Sequence, residues 1–202
     1  RRGERYYARR SNAVLERSLI AFKSSTWFAV LSGFLEPILY LFSFGYGVGK
    51  LIGDITLSSG LTVNYAMFIA PGLLATSAMN GAIYDSTWNV YFKLNESKTY
   101  QGMLATSLGP LDVALGEILS ALLRGFVYSL GFMCIATPMG LIPSWWGLLA
   151  IPAAVLIAFG FASVGMAITS YFKSYQQMGL INITLLPIFL FSGSFYPLTV
   201  FP

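Results

Sequence analysis

Between Gly125 and Phe172 the chain runs forty-eight residues without a charged side chain, and the stretches 24–49, 55–84 and 174–202 add only Glu36. A membrane-crossing helix needs roughly 20 mostly apolar residues to cover a hydrocarbon core of about 30 Å. Inside lipid every backbone amide must find its partner within the protein, which leaves helices as the form for runs this long. A transmembrane barrel would instead show segments of about ten residues alternating in polarity. Here the runs are continuous and rich in Leu, Ile, Phe and Ala, and the mean hydropathy is +0.69 with only 10% charged residues. The sequence therefore predicts an all-α polytopic membrane protein. Its function must be sought where polar residues interrupt the apolar pattern.

The apolar runs predict five spans, at about 26–49, 62–85, 119–141, 146–171 and 175–197, within a single transmembrane domain over 1–202. Seven of the twelve basic residues precede the first span, Lys93 and Lys98 follow the second, and Lys173 separates the fourth from the fifth. By the excess of Lys and Arg in cytoplasmic loops, the N-terminus, the 86–118 loop and Lys173 lie in the cytoplasm. Residues 50–61 and 142–145 then lie outside, and the protein sits in the cell membrane. This distribution, and not a nucleic-acid surface, accounts for the net charge of +4. Interfacial aromatic and basic residues mark the membrane boundaries: Trp27 at the entry of the first span, Trp145 and Trp146 at the outer mouth of the fourth, Tyr171 at its inner end. Arg124, seven residues after Glu117 and on nearly the same helical face, is expected to snorkel at the cytoplasmic boundary.

The first 23 residues do not form a cleavable signal, because the apolar run that follows is too long and no small-residue cleavage site closes it. Val14, Leu15, Ser18, Leu19 and Phe22 share one helical face while Glu16, Arg17 and Lys23 fall elsewhere. This predicts an amphipathic interfacial helix over 11–23 on the cytoplasmic membrane surface; a basic tail that only sets topology is the alternative. Glu36 lies nine residues past Trp27, about 13 Å into the bilayer at 1.5 Å per residue. A carboxyl at that depth is either a functional group or a protonated Glu bonded to a carbonyl freed by Pro37. Thr76, Ser77, Asn80 and Tyr84 in the second span, and Gln177, Asn182 and Thr184 in the fifth, serve either helix-to-helix hydrogen bonding or substrate contact. The chain has no His, and its one cysteine is Cys134. Histidine-based catalysis and an intrachain disulfide are thereby excluded, and Cys134 reads as a small core residue.

The stretch from Lys93 to Pro110 predicts a short helix over 97–107, with Ser97 or Thr99 as its cap and Gly109-Pro110 forcing a turn after it. By itself this helix is either a connector or a docking knob for a soluble partner. Four segments carry a wider likeness: Leu35-Glu-Pro-Ile-Leu-Tyr-Leu-Phe-Ser-Phe-Gly-Tyr-Gly-Val-Gly49, Tyr65-Ala-Met-Phe-Ile-Ala-Pro-Gly-Leu-Leu-Ala75, Lys98-Thr-Tyr-Gln-Gly-Met-Leu-Ala-Thr-Ser-Leu-Gly-Pro110 and Phe191-Ser-Gly-Ser-Phe-Tyr-Pro197. In this order they resemble the permease subunits of type-2 ABC exporters, nearest the nodulation-factor and daunorubicin-type branch.

That resemblance implies an N-terminal connecting helix, here 11–23, and a coupling helix, here 97–107, with Glu96, Lys98, Thr99, Tyr100, Gln101 and Gly102 contacting an ATPase. It implies a pair of permeases, identical or not, each seated on a separate nucleotide-binding subunit that holds ATP and Mg. It also implies six spans; the sixth is not among these residues, so the chain reads as part of a longer polypeptide. No G-x-x-x-x-G-K-[ST] sequence occurs, which assigns ATP to the partner. The expected function is outward movement of an amphiphilic, drug-like or lipid- or glycan-linked compound by alternating access. Its path is expected along Phe34, Glu36, Tyr40, Phe44, Asn80 and Asn182. A proton-coupled secondary transporter using Glu36 is the alternative, although no convincing internal repeat supports it. A membrane-embedded transferase would need a catalytic cluster that the spans do not offer, so the chain is not read as an enzyme, nor as a holder of any cofactor or metal.

Overall fold

A computed structural model of the chain describes residues 10–24, 35, 37–56, 60–142 and 144–195. Trp27, Phe34 and Glu36 lie outside them. Helix α1 covers Ser11–Ser24. Helix α2 covers Pro37–Ile52, wound in wider π-type turns over Leu41–Val48. It ends at Gly53, whose φ of 75° is open to a residue without a Cβ. A short antiparallel hairpin follows, β1 at Asp54–Thr56 and β2 at Thr62–Asn64. Residues 62–64 are therefore strand, and the next span starts three residues later than the hydropathy pattern suggests. Asn64 sets that start: its Oδ1 accepts from the Ala66 amide at 2.9 Å, capping helix α3.

Helix α3 runs over Tyr65–Glu96, 32 residues, with Pro71 inside it. Its length corrects the reading of 86–118 as a loop. The polar residues after Tyr84 do not break the helix because their side chains bond within it. Thr87 Oγ1 donates to the Ile83 carbonyl at 2.6 Å, and Asn89 Nδ2 to Asp85 Oδ1 at 2.6 Å. After Ser97, Lys98 takes a left-handed φ of 50° and reverses the chain into helix α4, Thr99–Leu104. The short helix is thus smaller than 97–107, and Lys98 holds the cap position in place of Ser97 or Thr99. Pro110 opens helix α5, Pro110–Ala136, where the missing amide of proline costs nothing. Asp112 Oδ2 closes the turn by accepting from the Gly109 amide at 3.0 Å. The third apolar helix therefore begins nine residues before the predicted 119 and ends five before the predicted 141.

Helix α6 covers Trp145–Tyr171, and helix α7 covers Gly179–Leu190 after a 3₁₀ turn at Tyr175–Met178. Past Leu190 the chain turns at Gly193, φ 72°, so the helix is shorter than the predicted span to 197. Among the described residues three helices, α3, α5 and α6, are long and apolar enough to cross a membrane, whereas α2 is a shorter apolar helix. Those three pack on one another through a seam of small residues: Ala78 and Ala82 on α3, Ala121 on α5, and Ala154, Ala158 and Ala162 on α6. A Cβ added to Gly125 would stand 2.9 Å from the Ala78 carbonyl oxygen and 3.0 Å from the Ala158 Cβ. Backbones this close gain dispersion contacts, which hold helices together where lipid offers no hydrophobic drive. Cys134 is exposed, on the surface and not in the core as its residue type suggests.

Candidate functional site

A group of charged and polar residues, Glu117 and Arg124 among them, converges where α3 and α5 run side by side. On α3, Asp85, Asn89 and Lys93 follow one another at four-residue steps and so share a face. On α5, Glu117, Ser120 and Arg124, at steps of three and four, also share a face. The helices run in opposite directions, so early residues of one set meet late residues of the other. Arg124 Nη2 lies 3.1 Å from Asp85 Oδ1, and Lys93 Nζ lies 2.7 Å from Glu117 Oε2. Between these rungs Ser120 Oγ donates to Asp85 Oδ2 at 3.2 Å. The carboxylates of Asp85 and Glu117 are 2% and 1% exposed, and Arg124 is 11% exposed. Charges so buried cost several kcal/mol each unless paired and hydrogen-bonded; here the signs cancel, two against two.

This geometry revises the role expected of Arg124. It is not a lone anchor reaching for headgroups: its guanidinium pairs with Asp85 and sits 5.7 Å from the centre of the Tyr84 ring, within cation–π range. Asp85 and Lys93 do not stand out in the apolar pattern as site residues. Their signal was present as an acid, an amide and a base at i, i+4 and i+8, but it becomes legible only if the helix continues past Tyr84.

Below the charge ladder the short helix α4 is seated. Tyr100 and Met103 point inward and form a buried cluster with Val14 of α1, Val90 of α3 and Val113 of α5, flanked by Leu94, Leu108 and Met166. Tyr100 is 7% exposed, which corrects its expected place among partner-facing residues. Burial and the neighbouring Glu117 carboxylate raise the pKa of its phenol well above the ordinary value. Of the other coupling candidates, Glu96, Lys98, Gln101 and Gly102 are exposed and Thr99 is half-buried, its hydroxyl 2.7 Å from Ser97 Oγ. Leu104 is also exposed. Helix α1 joins the same assembly. Val14 lies where Gly116 leaves room, a Cβ there meeting the Val14 Cβ at 2.5 Å. The Arg10 amide donates to Asp112 Oδ1 at 2.8 Å and Arg10 Nη1 to Ser107 Oγ at 2.7 Å. The helix thus buries Val14 and Ser18 in protein and leaves Leu19 and Ile20 exposed, two apolar surfaces where one was expected.

Tyr40 and Phe44, expected along a substrate path, belong to an aromatic cluster. The Tyr40 ring centre lies 5.9 Å from those of both Phe44 and Phe189, and that of Phe44 lies 5.2 Å from that of Phe195, all three pairs tilted. Tyr65 Oη ties the cluster by donating to the Phe195 carbonyl at 3.0 Å. Asn80 is half-buried on α3 and Asn182 exposed on α7. Two hollows flank the C-terminal half of α3. One, of about 290 Å³, is an apolar groove between α3, α6 and α7, bordered by Ile83, Phe161, Leu180 and Ile188. The other, of about 560 Å³, is walled by Tyr84, Trp88, Tyr91 and Tyr175 and carries Glu96 and Arg124. Trp145 and Trp146 stand exposed at the start of α6. Among the described residues no group of three or more His, Cys, Asp or Glu is placed to hold a metal ion.

The sequence profile of the ABC-2 type transporter family matches residues 10–202. Among curated proteins, the chain is 31% identical over 192 residues to Nodulation protein J of Rhizobium leguminosarum bv. trifolii, covering 94% of this chain and 71% of that one. It is 30% identical over 197 residues to Nodulation protein J of Sinorhizobium fredii, with the same shares covered. No solved structure matches the chain.

Proposed function

The chain belongs to the ABC-2 type transporter family, and from that premise we propose that it is the permease subunit of an ATP-driven exporter. It is a multi-pass membrane protein of that family, built of helices apart from one short hairpin. In the proposed complex two permeases, identical or different, each seat on a nucleotide-binding subunit that binds ATP and Mg. The observation that carries this reading is the seating of α4. One face of this short helix is locked by Tyr100 and Met103 against α1, α3 and α5, while Gln101, Gly102 and Leu104 are exposed on it. A helix of six residues is too short to be stable alone, so such a mount suits a part that receives force and passes it on.

The N-terminus and α4 face the cytoplasm in this reading. Closure of the ATPases presses on α4, the ladder Lys93–Glu117 and Asp85–Arg124 holds α3 and α5 as one rigid body, and the path opens outward. Substrate is an amphiphile drawn from the inner leaflet. Its path takes in the first span with Phe34 and Glu36, the aromatic cluster of Tyr40 and Phe44, and Asn80 and Asn182 on α3 and α7. The test is direct. The tagged chain, co-expressed with a candidate nucleotide-binding subunit, should copurify with that ATPase and move a fluorescent amphiphile across proteoliposomes only with hydrolysable ATP. Transport driven instead by a proton gradient without ATP would overturn the reading in favour of a secondary transporter.

A further inference from the structure

Helix α3 ends in a run of aromatic residues that the charge ladder does not use. Tyr84, Trp88 and Tyr91, at steps of four and three, share a face, and Phe92 stands beside them. With Tyr175 from the turn before α7 they wall the hollow of about 560 Å³, a size that suits a small molecule. Tyr175 packs edge-on, its ring centre 5.5 Å from that of Trp88 and 6.3 Å from that of Tyr91. Aromatic residues that only mark a membrane boundary stand outward, as Trp145 and Trp146 do at 88% and 78% exposed. Tyr91 is 5% exposed and Trp88 is half-buried, so these rings line an inward surface instead. Two stretches of wider π-type turns, Asp85–Asn89 and Phe92–Glu96, carry Trp88, Phe92 and Glu96; such turns recur at functional sites.

The charges around the hollow select its ligand. Arg124 borders it, but that guanidinium is paired with Asp85 at 3.1 Å, and Lys93 is paired with Glu117. Glu96 is exposed and makes no ion pair among the described residues. Lys98 does not border the hollow. Tyr84, whose ring Arg124 faces, lies twelve residues before Glu96, about three helical turns, so the two charges stand at opposite ends. The Glu96 end thus offers ring faces and one uncompensated negative charge. Ring faces attract cations, and Arg124 at 5.7 Å from the Tyr84 centroid already makes one such contact. We propose that this hollow binds an organic cation with an apolar body, its charge at Glu96 and its body against Trp88, Tyr91 and Tyr175. In the exporter it is the intake for the transported amphiphile, at the end of α3 that leads into α4. The inference deepens the permease reading and rests on it for this role.

The experiment starts with the full-length permease in a neutral maltoside detergent, without ATP. Equilibrium dialysis compares radiolabelled tetraphenylphosphonium with tetraphenylborate, ions of the same shape and opposite charge, after subtraction of uptake by protein-free micelles. The phosphonium should bind saturably and the borate should not. E96Q removes the charge and Y175L the ring, and each should weaken phosphonium binding roughly three- to tenfold. Y175F keeps the ring and should restore the affinity. Both positions are exposed, so the variants should elute and melt as the unchanged chain does. Saturable borate binding of equal strength, or unaltered phosphonium affinity in E96Q or Y175L, would overturn the site. A second arm reconstitutes the permease with its ATPase and follows rhodamine 6G, a fluorescent amphiphilic cation; E96Q should raise its KM by the same factor. If phosphonium binds as expected but the complex moves no amphiphile with ATP, the permease reading fails and the binding site stands. If ATP drives transport of neutral or anionic amphiphiles and the phosphonium neither binds nor competes, the site fails and the permease reading stands.

Discussion

Asp85 shows how a single carboxylate can be both a cost and a constraint. Its oxygens receive Arg124, Asn89 and Ser120, so the charge is fully met although the side chain is 2% exposed. Removing one partner of a buried pair leaves the other charge where water cannot compensate, a loss of roughly 3–5 kcal/mol. D85A should therefore destabilise the protein by about that much in thermal unfolding in detergent, and D85N combined with R124Q should recover much of it. If the double variant is as unstable as the sum of the single ones, the pair is not a unit. The sequence made Arg124 visible as a lone charge in an apolar run, but its partner was hidden. Asp85 stands where the second apolar run ends, and a residue at the end of a span is read as a boundary marker. The Lys93–Glu117 pair was hidden for the same reason, since ion pairing between segments depends on register, which hydropathy does not encode.

Elements fare differently from residues in this chain. Long apolar helices are legible because length and hydropathy alone specify them, and the hairpin of β1 and β2 is not, being six paired residues in a polar loop. Boundaries shift wherever local hydrogen bonds extend a helix past its apolar part, as Thr87 and Asn89 do for α3. How elements approach each other is legible only afterwards, through small residues. Gly125 allows α5 to touch both α3 and α6, and a side chain there must push against the Ala78 carbonyl and the Ala158 methyl. G125V should cost about 1–3 kcal/mol and lower the yield of folded protein on size-exclusion chromatography, whereas G102A on the open face of α4, with nothing near its added Cβ, should be neutral there. The two faces of α4 give a sharper test. L104D changes an exposed residue and should leave membrane insertion intact while weakening ATPase copurification about tenfold or more, the effect of about 1.4 kcal/mol or more at an interface hot spot. Undiminished copurification would mean that α4 does not dock the ATPase.

At the scale of the whole molecule, the fold class follows from the charge-free runs, and the family follows from order: four segments in one sequence, none diagnostic alone. What the order of segments does not carry is which way the bundle faces. Orientation rests on the placement of basic residues, ten of the twelve lying in the N-terminal segment, in 93–98 or at Lys173, and on the cost of moving such charges through the bilayer. The structure adds a constraint, since Arg10 is bonded to Ser107 and Asp112. Helix α1, helix α4 and the start of α5 must therefore lie on one side. The hairpin of β1 and β2 lies at the other end of α3 from Glu96, and α3, with 32 residues, is long enough to separate the two sides. A cysteine at Thr62, exposed in β2, and one at Ser97, exposed before α4, should therefore label from opposite faces in intact cells with a membrane-impermeant maleimide. The native Cys134 is exposed and should first be changed to Ala, so that the signal reports the new positions alone. Thr62→Cys should react without permeabilisation and Ser97→Cys only after it. Labelling of both from outside would reverse the docking side of α4 and, with it, the case for a cytoplasmic ATPase beneath this helix.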